Sequence, residues 1–92
     1  MIPKFELGRV VMTRGVADWV EQNPPYRNLF PLLHRHIQGD WGEVDGEDKQ
    51  TNNEALELGN RLLSAYTLDG EKLWVITEWD RSVTTVLFPS EY

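Results

Sequence analysis

The sequence predicts an α+β domain: a three-stranded antiparallel C-terminal meander packed with about three helices, in the order β-α-α-α-β-β-β. Three observations predict it. Asp69-Gly70 separates two runs of apolar and β-branched residues between Arg61 and Thr77. That dipeptide suits a type I′ hairpin, whose two central residues need positive φ. A second turn at Asp80-Arg81-Ser82 leads into a third such run, Val83–Leu87. Upstream, apolar residues recur at helical spacing and are punctuated by Pro and Gly.

In chain order, Phe5–Met12 reads as a short strand, bent or bulged at Gly8, that could add a fourth strand on an edge of the sheet. Thr13 suits the N-cap of a helix from about Arg14 to Gln22, with Val16, Trp19 and Val20 on one stripe; Asn23-Pro24-Pro25 ends it. A second helix covers about Asn28–Gln38. Pro31 stands in its first turn, Leu29, Leu32, Leu33 and His36 lie on one face, and Gly39 stops it. Asp40–Gly46 is a loop. Asp45 then caps a helix that runs to Leu58 and stops at Gly59, with Glu47 and Asp48 at the positive end of its dipole and Ala55 and Leu58 facing inward.

A two-residue Asp69-Gly70 loop pairs Tyr66 with Leu73, Ala65 with Trp74 and Leu63 with Ile76. One face of the sheet then carries Leu63, Ala65, Trp74 and Ile76. The other carries Leu62, Ser64, Tyr66, Leu73, Val75 and Thr77. At the second turn a two-residue loop sets Ile76 opposite Thr85, and a three-residue loop sets Ile76 opposite Val86. The three-residue loop is preferred because it matches apolar residues across the strands. Both faces are apolar, so both need cover: one from the helices, the other from the N-terminal segment, a second copy or a partner.

Ninety-two residues make one domain, 1–92. Without cysteine the chain has no disulfide or thiolate metal site, and a reducing cytoplasm is its natural setting. MIPKFELGRV lacks the apolar run of a signal peptide, and nothing approaches the roughly 20 apolar residues of a membrane span. The formal charge of −6 argues against direct nucleic-acid binding. It is unevenly placed: residues 37–60 contain seven Asp/Glu and one Lys, whereas residues 1–36 contain five Lys/Arg and three Asp/Glu.

Asp40, Glu43, Asp45, Glu47 and Asp48 are five carboxylates within nine residues. They form either a solvated loop with helix-capping acids or a surface whose field attracts a basic partner. An EF-hand is excluded, because aligning Asp45-Gly46 with its central positions puts Trp41 and Asn52 where acidic ligands belong. His34 and His36 point apart on a helix and are not read as a metal pair; His36 is read as a local partner of Asp40. Glu78, Asp80 and Arg81 cluster beside Trp79. They are a charged turn, a contact patch built on Trp79 and Arg81, or a carboxylate pair for acid–base chemistry. Ser64, Thr77, Thr84 and Thr85 are read as strand residues, since no nucleophile elbow, phosphate-binding loop or dinucleotide glycine pattern is present. No cofactor is expected.

The segments LGRVVMTRGVADWV, HRHIQGDWGEVDGEDKQTNNEAL, GNRLLSAY and WVITEWDRSVTTVLFPSEY together resemble a family of small bacterial proteins. Members are encoded on plasmids, integrative elements and prophages, and are labelled plasmid-related proteins or subunits of type I restriction systems. The resemblance spans nearly the whole chain. It implies a mobile genetic element as the setting and supplies no catalytic positions. Small acidic proteins in that setting often inhibit host defence, as anti-CRISPR or anti-restriction proteins. The leading expectation is therefore a non-enzymatic, cytoplasmic module. It would bind a host protein or ribonucleoprotein with a basic surface and block the place where nucleic acid sits. Its contact residues would be Asp40, Trp41, Glu43, Asp45, Glu47, Asp48, Trp79, Asp80 and Arg81. One alternative is a structural or regulatory homodimer joined through an apolar sheet face. Another is a small enzyme or ligand-binding protein using the Glu78/Asp80 turn.

Overall fold

Asp69 and Gly70 have φ of 50° and 79°, the conformation a type I′ turn demands. The turn fixes the hairpin of β2 (Leu62–Leu68) and β3 (Glu71–Thr77) in the predicted register, with Tyr66 opposite Leu73, Ala65 opposite Trp74 and Leu63 opposite Ile76. The computed structural model describes residues 2–22 and 27–92.

The chain order is the predicted one: β1 (Arg9–Met12), α1 (Arg14–Glu21), α2 (Phe30–Ile37), α3 (Gly46–Leu58), β2, β3 and β4 (Val83–Leu87), with a 3₁₀ turn at Pro89–Glu91. The sheet order is β1-β4-β3-β2. β1 occupies an edge as expected but runs parallel to β4, so the sheet is mixed rather than purely antiparallel. The strand is also shorter than Phe5–Met12. Gly8, at φ 64°, bends the chain where a Cβ would lie 2.3 Å from the carbonyl oxygen of Arg81, and Phe5 turns inward instead.

The second hairpin corrects the preferred register. Ile76 lies opposite Thr85 and Thr77 opposite Thr84. The Arg81 N–H donates to the Glu78 carbonyl, the Glu78 N–H donates to the Val83 carbonyl, and Arg81 takes φ 60°. The result is a turn closed by a left-handed residue. Polar matching, not apolar matching, sets this pairing: the Thr77 and Thr84 hydroxyls meet at 2.7 Å in the interior.

Thr13 caps α1 by accepting from the Val16 N–H. Asn23-Pro24-Pro25, read as the end of that helix, lie outside the described residues. α1 and α2 cover the Ser64/Tyr66/Val75 face, closing a core of Val16, Leu32, Leu33, Tyr66, Leu73, Val75 and Val86. On the opposite face Leu63 and Trp74 are half-buried. Ala65, Ile76 and Leu87 are at most 5% exposed. The C-terminal residues fold back toward it, and Tyr92 packs edge-on against Trp74 at 5.5 Å.

α3 lies along β2 and closes a second cluster of Trp41, Ala55 and Leu62, joined by Phe5, Val44 and Leu56. Asn52 acts there as a piece of strand. Its amide donates to the Leu63 carbonyl at 2.7 Å and accepts from the Leu63 N–H at 3.1 Å. Ala65 is paired on the same edge by the Trp41 carbonyl and the Glu43 N–H. Gly42 is required at that crossing, because a Cβ would lie 2.0 Å from the Ala65 carbonyl oxygen.

Candidate interaction surface

Helical geometry separates the wet and dry sides of α3. Asn52 and Ala55 are buried and Leu56 is half-buried. Glu47, Thr51, Glu54 and Leu58 follow i, i+4, i+7, i+11 spacing and form a stripe on the solvent side. Leu58, expected to face inward, therefore ends this stripe and is 71% exposed. Asp45 caps the helix by accepting from the Asp48 N–H at 2.8 Å. Glu47 and Asp48 stand in the first turn, and Gly59, at φ 73°, ends it.

Among the described residues Asp45, Glu47, Asp48, Glu54 and Glu57 form no ion pair. Four acids elsewhere differ. Asp40 holds Arg35 through two contacts of 2.7 and 3.2 Å, which pulls its carboxyl below the usual range. Glu43 accepts from the Thr67 hydroxyl and lies 3.5 Å from Lys72, and both keep its carboxyl low. Asp69 pairs with Arg27, and Asp18 lies 4.0 Å from Arg14.

The predicted contact residues divide between the two ends of α3. Asp40, Trp41, Glu43, Asp45, Glu47 and Asp48 gather near its N-terminus. Trp79, Asp80 and Arg81 lie at its C-terminus, about 20 Å away along a 13-residue helix. Two of these readings need correction. Trp41 is 3% exposed; its ring packs among Phe5 and His36 and its indole N–H donates to Asn53, so it is a core residue. The Arg81 guanidinium donates to the Ala55, Asn60 and Glu78 carbonyls and lies over the Phe5 ring. It ties the turn to the end of α3 and does not reach outward. Trp79 remains 66% exposed on this braced turn.

Asp80 accepts from the Ser82 N–H and hydroxyl, which lowers its carboxyl pKa. A general acid at neutral pH needs the reverse.

The most ordered polar cluster was missed as a unit. His36 is fully buried, Nδ1 lies 2.5 Å from the Ser64 hydroxyl and Nε2 lies 2.9 Å from the Thr77 hydroxyl. The chain continues from Thr77 to Thr84 and ends where the Thr84 hydroxyl donates to the Leu7 carbonyl. Assigning one donor per hydroxyl from that end puts the imidazole proton on Nε2, with Ser64 donating to Nδ1. Burial pushes the His36 pKa down to about 3, with the Arg81 charge adding to the effect. The pairing of His36 with Asp40 is thus corrected. Ser64 touches a histidine, and both are fully buried, so the pair ties α2 to the sheet in the interior. The helical face of His36 and the shared sheet face of Ser64 and Thr77 were the signals that could have found it.

Comparison with protein-family models, curated proteins and solved structures finds no match to this chain.

Proposed function

We propose that this chain is a non-enzymatic protein-binding domain. It offers the solvent side of α3, with Trp79 at its far end, to a basic surface of a host protein or ribonucleoprotein. The observation that carries this reading is the contrast in how the acids are used. Among the described residues Asp18, Asp40, Glu43 and Asp69 form ion pairs with the chain's own cations, whereas the five carboxylates of α3 and its cap form none. An unneutralised row of this kind raises the association rate with a basic partner and repels nucleic acid. Together with the resemblance to proteins of mobile elements, it favours an inhibitor of host defence, anti-CRISPR or anti-restriction, that occupies a nucleic-acid-binding surface in the cytoplasm.

The test is to capture partners from the native host with tagged protein, then add the DNA or RNA substrate of the captured complex. Displacement by nucleic acid supports the reading. Neutralising Glu43, Asp45, Glu47 and Asp48 together as amides should abolish capture while the circular dichroism spectrum is unchanged. Undiminished capture by that variant removes the acidic face from the mechanism.

A further inference from the structure

The two edges of the sheet are finished differently. Along β2, both Leu63 and Ala65 find backbone partners outside the sheet. Along β1, Arg9 and Thr13 donate toward β4, to Ser82 and Val86, so the alternating Val10 and Met12 direct their N–H and C=O groups away from the sheet. Neither has a backbone partner outside the sheet among the described residues. They are 43% and 44% exposed, and Phe30 of α2, 75% exposed, lies beside them. Two apolar hollows of about 360 and 250 Å³ flank Phe30, lined by Leu7, Val10, Leu33 and Ile37 in one and by Met12 and Val20 among others in the second. Beyond Arg9 the strand carries no charge or proline, and no described residue pairs its outward backbone groups, so this apolar edge is a template for another strand.

We propose that this edge takes a second copy of the chain, β1 pairing antiparallel with β1 about a twofold axis at Val11. The sequence of the strand supports that occupant. In this register Val10 faces Met12 of the other copy, and the outward N–H and C=O groups of both residues are all paired. Val11 faces Val11, a favourable β-branched pair. Shifting the register by one pair either way brings in Gly8, bent at φ 64°, or Arg14, already in α1. Arg9 falls opposite Thr13, not opposite a like charge. The two Arg9 residues stand four pairs apart, about 14 Å, beyond the roughly 10 Å screening length of 0.1 M salt. Phe30 of each copy then roofs the apolar residues at the joint, and eight strands run continuously. Because α3 lies along β2, the dimer carries an acidic face at each outer end.

The interface is small, so dissociation falls in the micromolar range or weaker. Sedimentation of the native chain from about 10 µM to about 1 mM should show the mass rising from 10.7 kDa toward twice that value. Val10→Lys should hold it at the monomer mass with an unchanged circular dichroism spectrum. The chain has no cysteine, so Val11→Cys gives a specific reading. Mild oxidation should link two copies at least tenfold faster than it links Glu57→Cys, on exposed α3. A native mass that stays monomeric throughout overturns the proposal. So does a dimer in which Val11→Cys links no faster than the control.

Discussion

The His36 cluster and the solvent side of α3 are both rich in polar groups, and they use them in opposite ways. Around His36, four side chains and one carbonyl form a chain in which every side-chain donor is paired in the dry interior. Along α3, carboxylates stand in water and form no ion pair among the described residues. A buried polar group is costly unless paired, so the first cluster specifies the fold. An exposed charge costs little and acts over distance, so the proposed recognition would draw on the second. Mutation should therefore move stability in one region and association in the other.

The largest effect is expected at the interior cluster. His36→Ala empties the site and strands the Ser64 and Thr77 hydroxyls, and should cost about 3–5 kcal/mol in urea unfolding. The same residue makes stability depend on pH. Its folded pKa of about 3 lies below the ordinary 6.5, so the unfolded chain takes up the proton first. The contribution is complete above pH 6.5 and is lost as pH falls toward 3. By about pH 4.5 the loss should amount to roughly 3 kcal/mol. His36→Gln should flatten that slope in unfolding midpoints measured across the range; an equally steep slope would assign the acid sensitivity to carboxylates.

A smaller loss is expected where α3 meets the sheet. Asn52→Ala unpairs both backbone groups of Leu63 and should cost about 2 kcal/mol, with faster hydrogen exchange at Leu63. Asp45→Ala removes the cap and should cost about 1 kcal/mol in the same unfolding assay. The smallest effect on folding should come from Glu47→Gln with Glu54→Gln, within about 0.5 kcal/mol. That pair should nonetheless weaken partner association and reduce its salt dependence. A stability loss as large as that of Asn52→Ala would erase the distinction between the two regions.

Legibility in the sequence followed the range of the interactions. The Asp69-Gly70 hairpin, the Thr13 and Asp45 caps and the inward face of α2 depend on neighbours within a few residues, and all were readable. The second hairpin was misread because Arg81 is held at positive φ by carbonyls more than twenty residues upstream. That error separated Thr84 from Thr77 and hid the polar chain that ends on His36. Trp41 looked like a surface anchor because its sequence neighbours are acidic and glycine-rich. Its burial comes from Phe5 and Ala55, which only the assembled fold brings to it. The acidic stripe of α3 was visible in composition, and its neighbouring Leu58 was assigned to the wrong side.

The pairing of β1 with β4 also orders events during synthesis. Arg9 meets Val83, 74 residues downstream. β1 thus leaves the ribosome well before its neighbour, since β4 must be released before the sheet can accept it. Until then Val10, Val11 and Met12 remain an unpaired apolar segment. Truncation or stalling short of β4 would leave a nascent chain with its N-terminal strand exposed, and arrested chains should cross-link through Val11→Cys more readily than finished ones.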